Sequence, residues 1–85
     1  MFTVYVLWSE KLRKRYVGST ANLTKRIKEH NGGQAPFTSR GVPWSLLHHE
    51  EYETQQEARK RERFLKSGVG RKWLDGNDEF FRRGA

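Results

Sequence analysis

The chain has 85 residues, enough for one small domain with a modest core, and 13% of them are aromatic, which excludes a disordered chain despite 32% charged residues. It contains no cysteine, so disulfide frameworks and cysteine-type zinc sites are excluded. Seventeen Lys plus Arg against ten Asp plus Glu leave a net charge of +7, with a pI near 10.2 and a mean hydropathy of −0.98, a balance that points to polyanions as partners.

Phe2 to Leu7 is rich in β-branched and aromatic residues and reads as a strand. The opening has no basic leader and no small-residue cleavage site, which speaks against a signal peptide. No run approaches the roughly 20 apolar residues that span a bilayer, so the expectation is a soluble cytoplasmic protein without a membrane partner. Ser9 to Lys14 is a polar turn, and Arg15-Tyr16-Val17-Gly18 returns as a second strand, giving an antiparallel hairpin. Residues two apart share a strand face, so Thr3, Tyr5 and Leu7 face one way and Val4 and Val6 the other. Tyr5 and Tyr16 are candidate neighbours across this hairpin.

Ser19 or Thr20 offers a hydroxyl N-cap for a helix over Ala21–Asn31, which Gly32-Gly33 stops. On a helical wheel Leu23, Ile27 and His30 fall within about 60° of one another, with Arg26 one turn back on the same side. A guanidinium and an imidazole thus border the apolar stripe. A satisfied structural histidine is the competing reading of His30. Residues 32–43, with three glycines and both prolines, form a long loop of the kind that often carries function. Trp44 to Tyr52 is a third strand. Its His48-His49 pair invites a metal reading, but adjacent strand residues point to opposite faces and cannot chelate one ion.

Thr54-Gln55-Gln56-Glu57 is a capping box for a helix that runs to about Ser67 and stops at Gly68. Ala58 and Leu65 mark its inward stripe, and Glu62 lies between them in angle, within about 60° of each. Such a carboxylate borders the core with a cationic partner, faces a cleft, or simply closes an intrahelical salt bridge. Arg59, Lys60, Arg61 and Arg63 surround it. Gly68 to Leu74 suggests a short glycine-hinged helix that folds Trp73 and Leu74 back on the core, and its glycine spacing is not that of a P-loop. Residues 75–85 form a charged tail with Phe80-Phe81.

These pieces resemble the GIY-YIG endonucleases. Val4-Tyr5-Val6 stands for the first half-motif and Tyr16-Val17-Gly18 for the second, followed in order by Arg26, His30-Asn31-Gly32, Thr38-Ser39-Arg40-Gly41, Pro43-Trp44-Ser45-Leu46, Glu62 and Lys66-Ser67-Gly68-Val69-Gly70-Arg71. The resemblance spans Phe2 to Leu74. Thr3-Val4 replaces the Gly-Ile of the name motif, which matters little in a strand. It implies an α/β fold of the α+β type: a small three-stranded antiparallel sheet flanked by helices, in the order β-β-α-β-α-α. It also implies a stand-alone, single-domain member over residues 1–85, with a core at about 2–74.

The implied activity is metal-dependent hydrolysis of phosphodiester bonds in DNA, with RNA as the second candidate substrate. The implied cofactor is Mg²⁺, with Mn²⁺ as a substitute. By matching position, Glu62 would be the metal ligand and Arg26 would hold the scissile phosphate. Tyr5 or Tyr16 would orient or deprotonate the attacking water, with His30 assisting proton transfer or positioning a tyrosine. A further amide ligand, common in the family, has a candidate in Asn77, 15 residues after Glu62. Lys14, Arg15, Lys25, Arg40, Arg59, Arg63, Arg71 and Lys72 are the expected nucleic-acid contacts. Selectivity would come from a protein partner or from recognition of nicks, flaps or junctions. The alternative is a binding module that uses the same basic surface without cleaving.

Overall fold

A computed structural model of the chain describes residues 1–33 and 38–83, with side chains through residue 76. The elements are β1 (Phe2–Ser9), β2 (Lys14–Thr20), α1 (Leu23–Asn31), a 3-10 turn at Ser39–Gly41, β3 (Trp44–Tyr52), α2 (Gln55–Lys66) and α3 (Gly68–Arg83). The strands form one sheet in the order β2-β1-β3 with both pairings antiparallel. This is the expected α+β arrangement.

β1 is the central strand, and residues 3–7 are buried on both faces in succession. That explains a nearly continuous apolar run: both sides of the strand are covered, so the usual in-out alternation is lost. On one face Val4, Val6 and Val17 pack against Ala58 and Leu65 of α2 and Leu74 of α3. On the other, Tyr5, Leu7 and Trp44 pack with Tyr16, Val42, and Leu23 and Ile27 of α1. Fully burying a side chain such as Leu7 or Leu65 contributes about 1.5–3 kcal/mol. A register shift between Val6 and Leu7 leaves Leu47 as an extra residue in β3, and Leu47 packs on the Val4 face. His48 then pairs with Val6 and His49 with Tyr5, on opposite faces.

α1 starts later than expected. β2 stays paired with β1 through Thr20, so Ser19 and Thr20 are extended and neither caps the helix; Asn22 does, accepting from the Lys25 amide at 3.1 Å. Gly33, at φ +76, ends it in the left-handed conformation. The Thr54 cap forms, accepting from the Glu57 amide at 3.2 Å, while the Glu57 carboxylate accepts from the Thr54 hydroxyl at 2.9 Å. α3 differs from the short hinged helix expected and runs on through Arg83. A Cβ on Gly70 would stand 1.9 Å from the Phe64 carbonyl oxygen, so glycine there lets the start of α3 press against the end of α2. Leu74 reaches the core, but Trp73 is 37% exposed and meets His48 and Arg61 instead. Phe37, Asn77, Phe80 and Phe81 lie outside the described side chains. No helix among the described residues is long and apolar enough to cross a membrane.

Candidate active site

Tyr5 pairs with Gly18 across the hairpin, and Tyr16 pairs with Leu7, so the two tyrosines are diagonal neighbours on one sheet face with ring centroids 6.3 Å apart. Glycine at 18 is what makes room: a Cβ there would lie 2.6 Å from the Tyr5 hydroxyl oxygen. α1 crosses this face and buries His30 completely. The Tyr5 hydroxyl lies 3.0 Å from His30 Nε2, and His30 Nδ1 lies 2.7 Å from Thr38 Oγ1. Tyr16 sets its ring edge-on to the imidazole at 4.9 Å.

The pose of His30 depends on how the chain is pinned after α1. The Asn31 side chain accepts from the Trp44 amide at 2.6 Å and donates to the Trp44 carbonyl at 3.2 Å, fixing the end of α1 to the start of β3. Trp44 Nε1 donates to the Thr38 carbonyl at 2.7 Å, and Ser9 Oγ donates to the Gly41 carbonyl at 2.7 Å. These bonds hold Thr38 where its hydroxyl meets the imidazole.

Burial pushes the Tyr5 phenol above its ordinary pKa of 10.0, with the Arg26 guanidinium working against the rise. Burial, helped by the charge of Arg26, pushes the His30 imidazole below 6.5. At neutral pH the phenol is therefore protonated and the imidazole uncharged. The assignment that satisfies both has the Tyr5 O–H donating to Nε2 and the Nδ1–H donating to Thr38. Arg26, one turn before His30, keeps its side chain 35% exposed and stands 3.8 Å from Glu29, a loose pairing.

Glu62 comes from the opposite layer. Ser19, beside Gly18 on β2, donates from Oγ to Glu62 Oε1 at 2.6 Å, and Lys66 Nζ lies 2.6 Å from Oε2. Burial works to raise the pKa of this carboxyl, but Lys66 and Ser19 outweigh it and hold the group ionised below 4.5. Glu62 thus both closes the intrahelical ion pair and docks on the strand that carries Tyr16 and Gly18. Tyr5, Tyr16, Arg26 and His30 lie together on one face, and Glu62 reaches the same edge of the sheet from the other. Among the described residues no group of three His, Asp or Glu side chains converges as a ready-made metal cage.

The expected nucleic-acid contacts divide. A groove of about 820 Å³ runs between the hairpin and the α2–α3 corner, lined by Tyr16, Lys66, Arg13 and the expected Lys14, Arg15 and Arg71. Arg15 is committed within it to Asp75, at 2.7 Å. Lys25, Arg40, Arg59, Arg63 and Lys72 are exposed on α1, the 3-10 turn, α2 and α3, outside this groove. Ser19, Thr38, Asn31 and Lys66 were not singled out as site residues. Ser19 looked like a helix cap, and the other three stood unremarked inside the motif segments that carry the resemblance.

Comparison with known proteins bears on this arrangement. The family model described as the GIY-YIG catalytic domain matches residues 1–73. A UPF0213 protein from the ldhD 5′ region of Pediococcus acidilactici is 40% identical over 68 residues, 76% of this chain and 68% of its own. A UPF0213 protein of Clostridium perfringens is 42% identical over 64 residues, 74% of this chain and 68% of its own. The solution NMR structure of a UPF0213 protein from Bacillus halodurans superimposes with a TM-score of 0.54 at 28% identity, covering 89% of this chain and 84% of that one.

Proposed function

The chain belongs to the GIY-YIG family of nuclease domains, and on that premise we propose that it is a metal-dependent endonuclease that hydrolyses phosphodiester bonds in DNA. The observation that carries the reading is the buried Tyr5–His30–Thr38 chain, packed by Tyr16 and flanked by Arg26, at the sheet edge where Glu62 arrives. A purely structural polar core would not need a permanent cation and an ionised carboxylate at its border.

Glu62 fits a hard divalent cation in a limited way: it offers one ionised carboxylate, paired with Lys66, which lines the basic groove. Mg²⁺ suits such a donor because it keeps several waters and takes further ligands from substrate phosphate. Bound there, it would supply Lewis acidity at the scissile phosphate. The chain's own residues do the rest. Arg26 presents fixed, paired donors to the non-bridging phosphate oxygens. Tyr5 is protonated and a poor base by itself, so it works as a relay. Its oxygen takes a proton from the attacking water while its own proton passes to Nε2 of neutral His30. Thr38, accepting from Nδ1, holds the tautomer that keeps Nε2 free to receive it. Tyr16, less buried than Tyr5, orients the water. The relayed proton then returns from Nε2 through the Tyr5 hydroxyl to solvent, and the leaving oxygen takes its proton from water, which resets the pair.

The test is a panel of labelled duplex, single-stranded, flap and junction DNAs, with RNA alongside, incubated with Mg²⁺, Mn²⁺ or chelator. Cleavage that requires the cation is expected on at least one DNA. Salt-sensitive binding to every member with no cut strand would remove the enzyme reading and leave the binding module.

A further inference from the structure

We propose that Lys66 is an exchangeable counter-ion: its ammonium neutralises Glu62 in the free protein and passes to a nucleic-acid phosphate in the adjoining groove, leaving the carboxylate to the divalent cation. The inference rests on the reading of Glu62 as cation ligand and adds a role for a residue outside the matched site set.

The two partners of Glu62 are not equivalent. Ser19 holds Oε1 from a strand whose backbone is locked into the sheet, where it pairs with Val4. Lys66 holds Oε2 from the solvent side, with its side chain 53% exposed against 21% for Glu62. The ammonium end of this i,i+4 pair is open to water, which screens it and offers it other partners, so Lys66 can leave while Ser19 stays. It also has somewhere to go. Lys66 lines the same groove as Arg13, Lys14, Arg71 and Tyr16, a cationic surface suited to a phosphodiester strand. Ser19 can therefore be read as the fixed clamp on the carboxylate and Lys66 as its removable partner.

A cation and an ammonium cannot both sit on Oε2 without like-charge repulsion. Cation binding therefore competes with Lys66 in the free protein. When phosphate draws Lys66 away, cation and nucleic acid help each other bind, by the same factor in each direction. The device keeps the carboxylate neutralised until substrate is present.

Two binding measurements test this without any turnover. In the first, Mn²⁺ alone is titrated by electron paramagnetic resonance into wild type, Lys66→Met, Lys66→Arg and Glu62→Gln, with folding checked by circular dichroism. Lys66→Met is expected to bind Mn²⁺ about tenfold more tightly than wild type, Lys66→Arg to stay close to wild type, and Glu62→Gln to bind at least tenfold more weakly. In the second, a short DNA duplex is titrated in chelator. Glu62→Gln is expected to tighten binding several-fold by freeing Lys66, and that gain is expected to vanish in the Lys66→Met background.

Equal Mn²⁺ affinity in Lys66→Met and wild type, with Glu62→Gln still weakened, overturns the exchange and leaves the nuclease reading intact. The same DNA gain with or without Lys66 overturns it too, since a general field effect then suffices. Mn²⁺ binding indifferent to Glu62→Gln removes both the exchange and the cation-ligand reading beneath it.

Discussion

Tyr5 and His30 illustrate how one hydrogen bond separates a catalytic reading from a structural one. Replacing Tyr5 by Phe keeps the ring in its place and deletes the hydroxyl that meets Nε2 and accepts from Arg26. Cleavage is expected to fall by about 100-fold or more while stability drops by about 1 kcal/mol, read by single-turnover kinetics and thermal melting. A fall confined to stability would mark Tyr5 as core only. The imidazole gives a pH prediction with a definite sign. Its folded pKa lies below the ordinary 6.5, so the native state resists protonation. Stability from this group is complete above the unfolded value and is lost as pH falls from there through the lowered folded value. If His30 relays the proton as proposed, the cleavage rate is expected to hold at pH 7 and to fall only on the acid side of 6.5, read from a pH–rate profile. Gly18→Ala tests the same contact sterically. The new Cβ would lie 2.6 Å from the Tyr5 oxygen, and displacing the ring is expected to cost about 2 kcal/mol together with the relay, visible as joint loss of melting temperature and cleavage.

Among the elements, what could be read in advance followed local chemistry. The strand of Phe2–Leu7, the third strand from Trp44 to Tyr52 and the Thr54 cap were legible because each is encoded within a few consecutive residues. The start of α1 was not. Ser19 and Thr20 are good caps by residue type, yet pairing across the hairpin extends β2 through them, and that register was invisible locally. Asn22→Ala is accordingly expected to cost about 1 kcal/mol, lowering the melting temperature by about 4–8 °C, whereas Thr20→Ala should cost less. The site divides the same way. His30 and Arg26 could be placed side by side from helical spacing alone. Ser19 on Glu62 and Thr38 on His30 bridge 43 and 8 residues of sequence, and only the packed fold brings them together. The length of α3 was hidden for another reason: Gly68 and Gly70 read as a hinge, but Gly70 is there for close helix packing.

At the scale of the whole molecule, two helical layers close on a central strand, and Glu62 meets the sheet at its β2 edge through Ser19. A second polar cluster steadies the far edge. There Glu50 accepts from His48, Tyr52 and both donors of Arg61, whose guanidinium stacks over Phe64 and Trp73. Burial alone would raise the Glu50 pKa, but these donors pull it down from 4.5 to about 2. The group's contribution to stability is therefore present above 4.5 and lost as pH falls toward 2. Glu50→Gln is expected to cost about 2 kcal/mol at pH 7 and to flatten the melting-temperature profile across that acid window. The net charge of +7 favours association with polyanions and does not enter this scaffold's stability argument. The roles proposed for Glu62 and Arg26 are tested by the single-turnover rate of Mg²⁺-dependent DNA cleavage for wild type, Glu62→Ala and Arg26→Ala. A metal-dependent rate is expected in wild type, with a fall of about 100-fold or more in each variant and the fold intact. Variants that cleave at the wild-type rate would contradict those roles, because the hydrolysis would then be carried out elsewhere.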